Sequence, residues 1–297
     1  MTYRQALLRP LAPLIRAASL WDEAGGMRIS AAMSFYGILS LAPLLLLLVA
    51  VLGWWLDREV LERGLLTQLG AIVGEQGRTV LAEALKSANE PKEGAVAAIV
   101  GFAVLLFGAT GVFGELQEAF GQVWSAGRGP VAKSIWWHSA TLRLRGVGYV
   151  LVIGFLLLVS LVISTLLNLF AGWAGSGLPL ETLLRLLNEV ATFAICAALF
   201  IGLMRLSAGP KPPMRCMITG GVIGAILFTL GRQLLAYYLS SAAVVSSYGA
   251  AGSLIVLLMW IYFSSAVLLF GACCARGLEE AAAAENALAA SRSNMTN

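Results

Sequence analysis

Two ionisable residues lie inside apolar stretches of the sequence, where charge is costly. Glu189 and Arg232 are each surrounded by long runs of hydrophobic residues. A charge at the centre of a membrane helix costs roughly 2.5 to 3.5 kcal/mol on insertion scales, so such a residue is a candidate functional group. Opposite charges reduce this cost for each other. We therefore predict that Glu189 and Arg232 pair as part of a polar path. The alternatives are a purely structural ion pair, or an arginine whose side chain extends to the membrane surface.

Two acids and two tyrosines are further candidates for a polar path. Glu115 and Glu118 are three residues apart and share one helix face, which indicates either a path or a solvated helix end. Tyr36 and Tyr248 can line the same path, whereas aromatic residues at helical spacing also serve as packing or interface anchors. The candidate transport path is Glu115, Glu118, Glu189, Arg232, Tyr36 and Tyr248.

Enzymatic chemistry is not indicated. The single histidine, His138, lies beside two tryptophans in a basic segment, and no metalloprotease, nucleophile-elbow or phosphate-binding motif accompanies it. The sixteen acids are too scattered to hold the metal ions of a nuclease, and the 20 Lys and Arg form no basic stripe for nucleic acid. We expect no catalytic residues, no cofactor, no metal and no nucleic-acid partner. Four cysteines show no disulfide framework: Cys196, Cys216, Cys273 and Cys274.

The elements that position these residues follow from composition. Hydrophobic residues make up 59% of the 297-residue chain, charged residues 12%, and the mean hydropathy is +0.84. Soluble globular chains carry roughly 25% charged residues. A hydrocarbon core of about 30 Å requires about 20 apolar residues per helix. The sequence therefore predicts an all-α polytopic membrane protein with about six transmembrane helices and amphipathic surface helices.

The apolar runs divide the chain into three parts. Residues 1–29 form a cytoplasmic amphipathic segment, 30–276 a six-helix transmembrane domain, and 277–297 a cytoplasmic tail that is helical at first and then disordered. Residues 57–93 form an external amphipathic segment. Pro43 predicts a kink in the first span, and small residues at Gly220, Gly224, Gly249 and Gly252 favour close helix packing. The expected spans are 30–56, 94–114, 145–170, 183–206, 216–239 and 254–276.

The distribution of basic residues predicts the orientation. Lys and Arg are concentrated in the termini and in the second and fourth loops, whereas the third and fifth loops contain none. Cytoplasmic segments of membrane proteins are enriched in these residues. We therefore expect both termini in the cytoplasm and a location in the bacterial inner membrane. Membrane lipids are the expected partners, and the small-residue faces also permit a homo-oligomer.

The sequence resembles the YihY/virulence factor BrkB family of inner-membrane proteins, formerly labelled ribonuclease BN. The resemblance covers nearly the whole chain and is strongest in ISAAMSFYGILSLAPLLLLLVAVLG (29–53), ATGVFGELQEAFGQVW (109–124) and SSYGAAGSLIVLLMWIYFSSAVLLFGA (246–272). It implies a six-helix inner-membrane fold with cytoplasmic termini and a role in transport or in the envelope, and no ribonuclease activity. Positions that match the family's motifs are Tyr36, Ser40, Pro43, Glu115, Gln117, Trp124, Arg232, Tyr248, Gly249, Gly252, Trp260 and Tyr262.

One position departs from the family pattern. Relatives usually continue FGA with an acidic residue, and this chain has Cys273 there. The resemblance therefore does not extend to an ion-coupled mechanism through a carboxylate at that position.

Two functions of different classes follow. The sequence favours a transporter or translocation factor for a lipid or small solute, because a proline-interrupted helix, a glycine-rich helix and buried polar groups are typical of a substrate path. The alternative is a non-transporting membrane scaffold or envelope-integrity protein, which a dry, closed bundle would favour.

Overall fold

The computed structural model describes residues 12–52, 95–126, 178–207, 210–241 and 252–296, together with isolated positions between 59 and 82. The predicted third span, His138, Tyr248 and Gly249 lie outside the described residues. Within the described ranges every regular element is a helix, which confirms the all-α fold class. The main helices are α1 (Ala12–Glu23), α2 (Gly26–Leu52), α3 (Ala95–Ser125), α4 (Leu178–Leu206), α5 (Met214–Ser241) and α6 (Gly252–Thr296).

Four segments of these helices are long and apolar enough to cross a membrane. They are Val100–Ser125, Glu189–Leu206, Met214–Leu235 and Leu254–Asn294. The α2 helix adds a run without any charged residue after Arg28. A span requires about 20 apolar residues, and each of these runs is close to or above that length. The chain is therefore a polytopic membrane protein, in agreement with the predicted count of about six spans.

The last helix forms the centre of the bundle, because α6 contacts each of the other five main helices. Its inner face buries Leu269, Ala272 and Cys273 completely or nearly so. Phe120 and Trp124 of α3 stack on each other in the same core, with ring centroids 5.7 Å apart. Among the described residues, the core is thus concentrated at the end of the bundle where α1, α3 and the second half of α6 meet.

Glycines allow two helix pairs to approach closely. A Cβ on Gly108 of α3 would lie 2.7 Å from the Ser40 Cβ and 2.8 Å from the Tyr36 carbonyl oxygen of α2. A Cβ on Gly220 of α5 would lie 2.5 Å from the Gly271 carbonyl oxygen of α6. Small residues permit such contacts between membrane helices. Gly220, and Gly224 one turn later, therefore lie at the α5–α6 crossing.

A tight turn joins the surface helix α1 to the first long helix. Gly25 has φ 67°, the left-handed conformation that glycine adopts at little cost. The Ile29 amide donates to the Gly25 carbonyl at 3.0 Å, so α2 starts immediately after the turn. The Trp21 ring covers Gly26, where any side chain would collide with the indole. The turn thus fixes the angle between α1 and α2.

Several helices extend beyond the predicted spans. The α2 helix begins at Gly26 and continues as helix across Pro43. The α4 helix begins at Leu178, five residues before the predicted span, and α5 begins at Met214, two residues before its span. A helix can continue beyond the hydrocarbon, because its backbone hydrogen bonds do not depend on the lipid. The expected disorder at the end of the tail is wrong, since α6 continues to Thr296. Its sequence EEAAAAENALAA consists mostly of strong helix formers, which accounts for the extension.

Candidate functional site

The two ionisable residues predicted to pair lie on neighbouring helices. The turn at residues 207–213 joins α4 and α5 into a hairpin, and the two helices pack against each other. An Nη of Arg232 lies 4.0 Å from Oε2 of Glu189, which confirms the pairing at the outer limit of an ion pair. The distance exceeds that of a charge-assisted hydrogen bond, about 2.7 to 2.9 Å. The charges therefore attract each other without a direct hydrogen bond.

The pair is only partly covered by the described residues. The Arg232 side chain is 29% exposed and the Glu189 side chain 65% exposed. Cys196 lies seven residues after Glu189, about two helical turns along the same face of α4. The pair thus lies between α4 and α5 and stays accessible within the described structure.

The depth of the pair follows from helix geometry. Glu189 lies about 25 Å from the end of α4 at Leu206, at about 1.5 Å per residue. Arg232 is at a similar distance from the start of α5. Since the hydrocarbon is about 30 Å thick, the pair lies near the membrane surface opposite the 207–213 turn. Tyr237 and Tyr238, both exposed, follow Arg232 by about one to two turns, where aromatic residues mark the interface.

The two acids of α3 do not join this pair. Glu115 is half-buried, whereas Glu118 is exposed and accepts a hydrogen bond from Gln122 at 3.3 Å. Within the described helices, no hydrogen bond or ion pair connects Glu115 or Glu118 to Glu189 or Arg232. The predicted path residues are therefore divided between two regions of the molecule.

Tyr36 lies at the contact between α2 and α3. Its ring covers Gly111, and it forms an edge-to-face pair with Phe107 at 5.8 Å between centroids. Gly252, the first residue of α6, is buried. This geometry gives Tyr36 a packing role, and its participation in a path stays a prediction.

A charged network, which the sequence reasoning missed, lies at the other end of the bundle. Arg276 of α6 is 5% exposed and donates to the Ala126 carbonyl at the end of α3 at 2.7 Å. It also contacts the carboxylates of Glu279 and, at 3.3 Å, Glu280. We call Arg276, Glu279 and Glu280 the Arg276 network. The spacing of the acids three and four residues after the arginine was the sequence signal, since such residues are neighbours on a helix.

The surface helix α1 is attached to this network. Arg16 Nε donates to Glu280 Oε2 at 2.8 Å, and Arg16 also lies 3.1 Å from Glu23 on its own helix. The Ser19 hydroxyl donates to Glu23 at 2.7 Å, and this bond, with the Arg16 charge, lowers the pKa of Glu23. The hydrogen bond to Glu280 raises the pKa of Arg16. A Cβ on Gly277 would lie 2.7 Å from the Pro13 carbonyl, so α1 packs directly on α6.

A buried hydrogen bond connects α3 to the end of α4. Trp124 Nε1 donates to the Ser207 hydroxyl at 2.6 Å, and Ser207 in turn donates to the Met204 carbonyl at 2.7 Å. All three residues are buried. The bond holds the start of the 207–213 turn against the core described above.

Among the described residues, no three His, Cys, Asp or Glu side chains converge as a metal site. The four cysteines have free thiols. The chemistry available at the Glu189–Arg232 pair is therefore charge recognition by one guanidinium and one carboxylate.

Comparison with known proteins identifies a family. The sequence model of the family described as Virulence factor BrkB matches residues 17–296. No curated protein and no solved structure matches the chain. The matched region includes α2 to α6 entirely and most of α1.

Proposed function

The chain belongs to the Virulence factor BrkB family of membrane proteins, and we propose that it moves, or helps to move, a lipid or small solute across the membrane. The observation that carries the proposal is the Glu189–Arg232 pair. Both residues lie in helices otherwise apolar enough to span a bilayer. Charged residues inside such helices are rare, because an apolar side chain is accommodated there at lower cost. Where they occur, they mark substrate pathways.

The sequence around Arg232 supports this interpretation. Arg232 is the only charged residue between Arg215 and Arg276, a stretch that contains most of α5 and the apolar half of α6. An arginine retained without function would cost roughly 2.5 kcal/mol or more if placed at the helix centre. Its position nearer one membrane surface reduces that cost and gives access from one side.

The proposal includes location and orientation. We place the protein in the bacterial inner membrane with both termini in the cytoplasm, because basic residues concentrate at the termini and in the 207–215 region. The 207–213 turn is then cytoplasmic and the Glu189–Arg232 pair faces the external leaflet. The protein acts without catalytic residues, cofactor or nucleic acid, and membrane lipids surround it, with a second copy of the chain as a further candidate partner.

A flux assay tests the proposal. Purified full-length protein is reconstituted into phosphatidylcholine vesicles, and the transbilayer movement of acyl-labelled phospholipids and the uptake of radiolabelled amino acids and sugars are measured. We expect movement of at least one probe, and a rate about tenfold lower for Arg232→Ala, since the guanidinium proposed to recognise the substrate is lost. Equal rates for protein-containing and empty vesicles with every probe would contradict transport.

A membrane scaffold is the second candidate, and one observation favours it. Residues 282–294 of α6 are exposed and extend the helix beyond the packed core. Such an arm offers a surface for a partner protein. Removal of residues 282–297 distinguishes the two functions: a transporter retains its flux, whereas a scaffold without flux loses its partner and its cellular role.

A further inference from the structure

The hydrogen-bonding capacity of Arg232 is largely unused within the described structure. A guanidinium has five N–H donors. Its only polar contact with described residues is the one to Glu189 at 4.0 Å, which is too long for a hydrogen bond. A partly covered guanidinium without hydrogen bonds is unfavourable in a low-dielectric environment. The arrangement is therefore suited to a ligand that supplies acceptors.

The apolar stretches 145–170 and 242–251, which lie outside the described residues, contain no acid. Residues 145–170, the predicted third span, begin with Arg145 and contain Ser160, Ser164, Thr165 and Asn168 as further polar residues, but neither Asp nor Glu. Residues 242–251 contain no charged residue at all. Neither stretch therefore supplies a second carboxylate for Arg232.

The charge balance of the pair restricts the ligand. One positive and one negative group, 4.0 Å apart, form a site with no net charge but with a strong local dipole. A simple anion would be attracted by Arg232 and repelled by Glu189, whose carboxylate is mostly exposed. A ligand that carries both charges next to each other satisfies both groups, and it enters a low-dielectric region at lower cost than an ion does.

We infer that Glu189 and Arg232 together bind a zwitterionic group in which a phosphate lies next to an ammonium, as in phosphoethanolamine. The Arg232 guanidinium donates to the phosphate oxygens, and the Glu189 carboxylate accepts from the ammonium. This inference rests on the proposed function and names the class of substrate. The depth of the pair, near the membrane surface marked by Tyr237 and Tyr238, is that of a lipid head group. A free phosphoethanolamine ester presents the same chemistry.

Binding is measured separately from transport. The thermal unfolding midpoint of the full-length protein in detergent is titrated with short-chain phosphatidylethanolamine, with phosphatidylglycerol of the same chain length, and with soluble phosphoethanolamine. We expect phosphatidylethanolamine to reach half-saturation at a concentration about tenfold lower than phosphatidylglycerol, because only the former has the ammonium that Glu189 binds. Saturation by soluble phosphoethanolamine at the same concentration as the lipid would identify the free ester as ligand; a requirement for the acyl chains would identify the lipid.

Two variants and two matched controls test the assignment of each residue. Glu189→Gln is expected to lose the preference between the two lipids, and Arg232→Gln to weaken both about tenfold. Arg215→Gln at the start of α5 and Glu285→Gln in the exposed part of α6 change the same residue types and should bind like the wild type. If Arg232→Gln does not fold, the lipid preference of Glu189→Gln alone decides the assignment.

The outcomes separate the inference from the proposed function. Equal stabilisation of the wild type by both lipids, or an unchanged preference in Glu189→Gln, would overturn the zwitterion site. Selective binding without flux in any vesicle assay would overturn transport and leave the site intact. Flux of other probes without selective binding would overturn only the substrate class.

Discussion

Arg16 of α1 and Glu280 of α6 are 264 residues apart in the sequence, and the Arg16 Nε donates to Glu280 Oε2 at 2.8 Å. The other oxygen of the same carboxylate lies 3.3 Å from the buried Arg276. Glu280 therefore connects the N-terminal surface helix to the central helix through one carboxylate shared by two arginines.

Glu280→Gln should destabilise the protein more than Arg16→Gln does. Loss of the Glu280 charge weakens its ion pairs with both Arg16 and the buried Arg276. Arg16→Gln removes only the partly exposed Arg16–Glu280 pair, which contributes on the order of 0.5 kcal/mol. We expect about 1 to 2 kcal/mol for Glu280→Gln in detergent unfolding. The exposed Glu285→Gln on the same helix is the control. A larger effect of Arg16→Gln would show that α1 is not held through this carboxylate.

Gly108→Ala should destabilise the α2–α3 contact, whereas Gly101→Ala should not. The added methyl on Gly108 meets Ser40 and the Tyr36 backbone at under 3 Å, while no atom lies within 4 Å of a Cβ on Gly101. Overpacking of this kind costs typically about 1 to 3 kcal/mol. Thermal unfolding of both variants in the same detergent measures the difference. Equal midpoints would contradict the close approach of the two helices.

Trp124→Phe and Ser207→Ala should be non-additive. Each removes the 2.6 Å hydrogen bond between α3 and the end of α4, and each is expected to cost about 1 to 3 kcal/mol, because the remaining polar group stays buried. The double variant should cost less than the sum of the two single changes. Ser125→Ala, at an exposed hydroxyl on the next residue of α3, is the control. Strict additivity would mean that the bond is not formed in solution.

Acidification should weaken the interactions of Glu23 with Ser19 and Arg16 within α1. The hydrogen bond from Ser19 and the Arg16 charge lower the pKa of Glu23 from its ordinary value of 4.5. A group with a lowered folded-state pKa stabilises the folded form fully above its unfolded pKa, and this contribution is lost as the pH falls through the lowered value. Amide hydrogen exchange within α1, corrected for its intrinsic pH dependence, should therefore accelerate below about pH 4.5 in the wild type. Ser19→Ala should shift this acceleration to higher pH, and an unchanged profile would contradict the assignment.

The apolar runs predicted the fold class, because the length of a membrane helix follows from the thickness of the bilayer. The pairing of Glu189 and Arg232 was predictable for a related reason: two isolated charges in apolar helices reduce each other's cost. The contacts of α1 with α6 and of Trp124 with Ser207 were not predictable, since they join residues far apart in sequence without a local pattern. The long tail was misjudged because its polar composition was given more weight than its alanine content.

The central helix also has a mechanical consequence. With 45 residues, α6 is about 68 Å long, more than twice the thickness of the hydrocarbon. Gly271, in its crossing with α5, and Glu280, in its bond to α1, are fixed on the same rigid rod. Glu280 lies nine residues after Gly271, about 14 Å further along the same helix, so the crossing with α5 and the attachment of the surface helix have a fixed spacing on one continuous element.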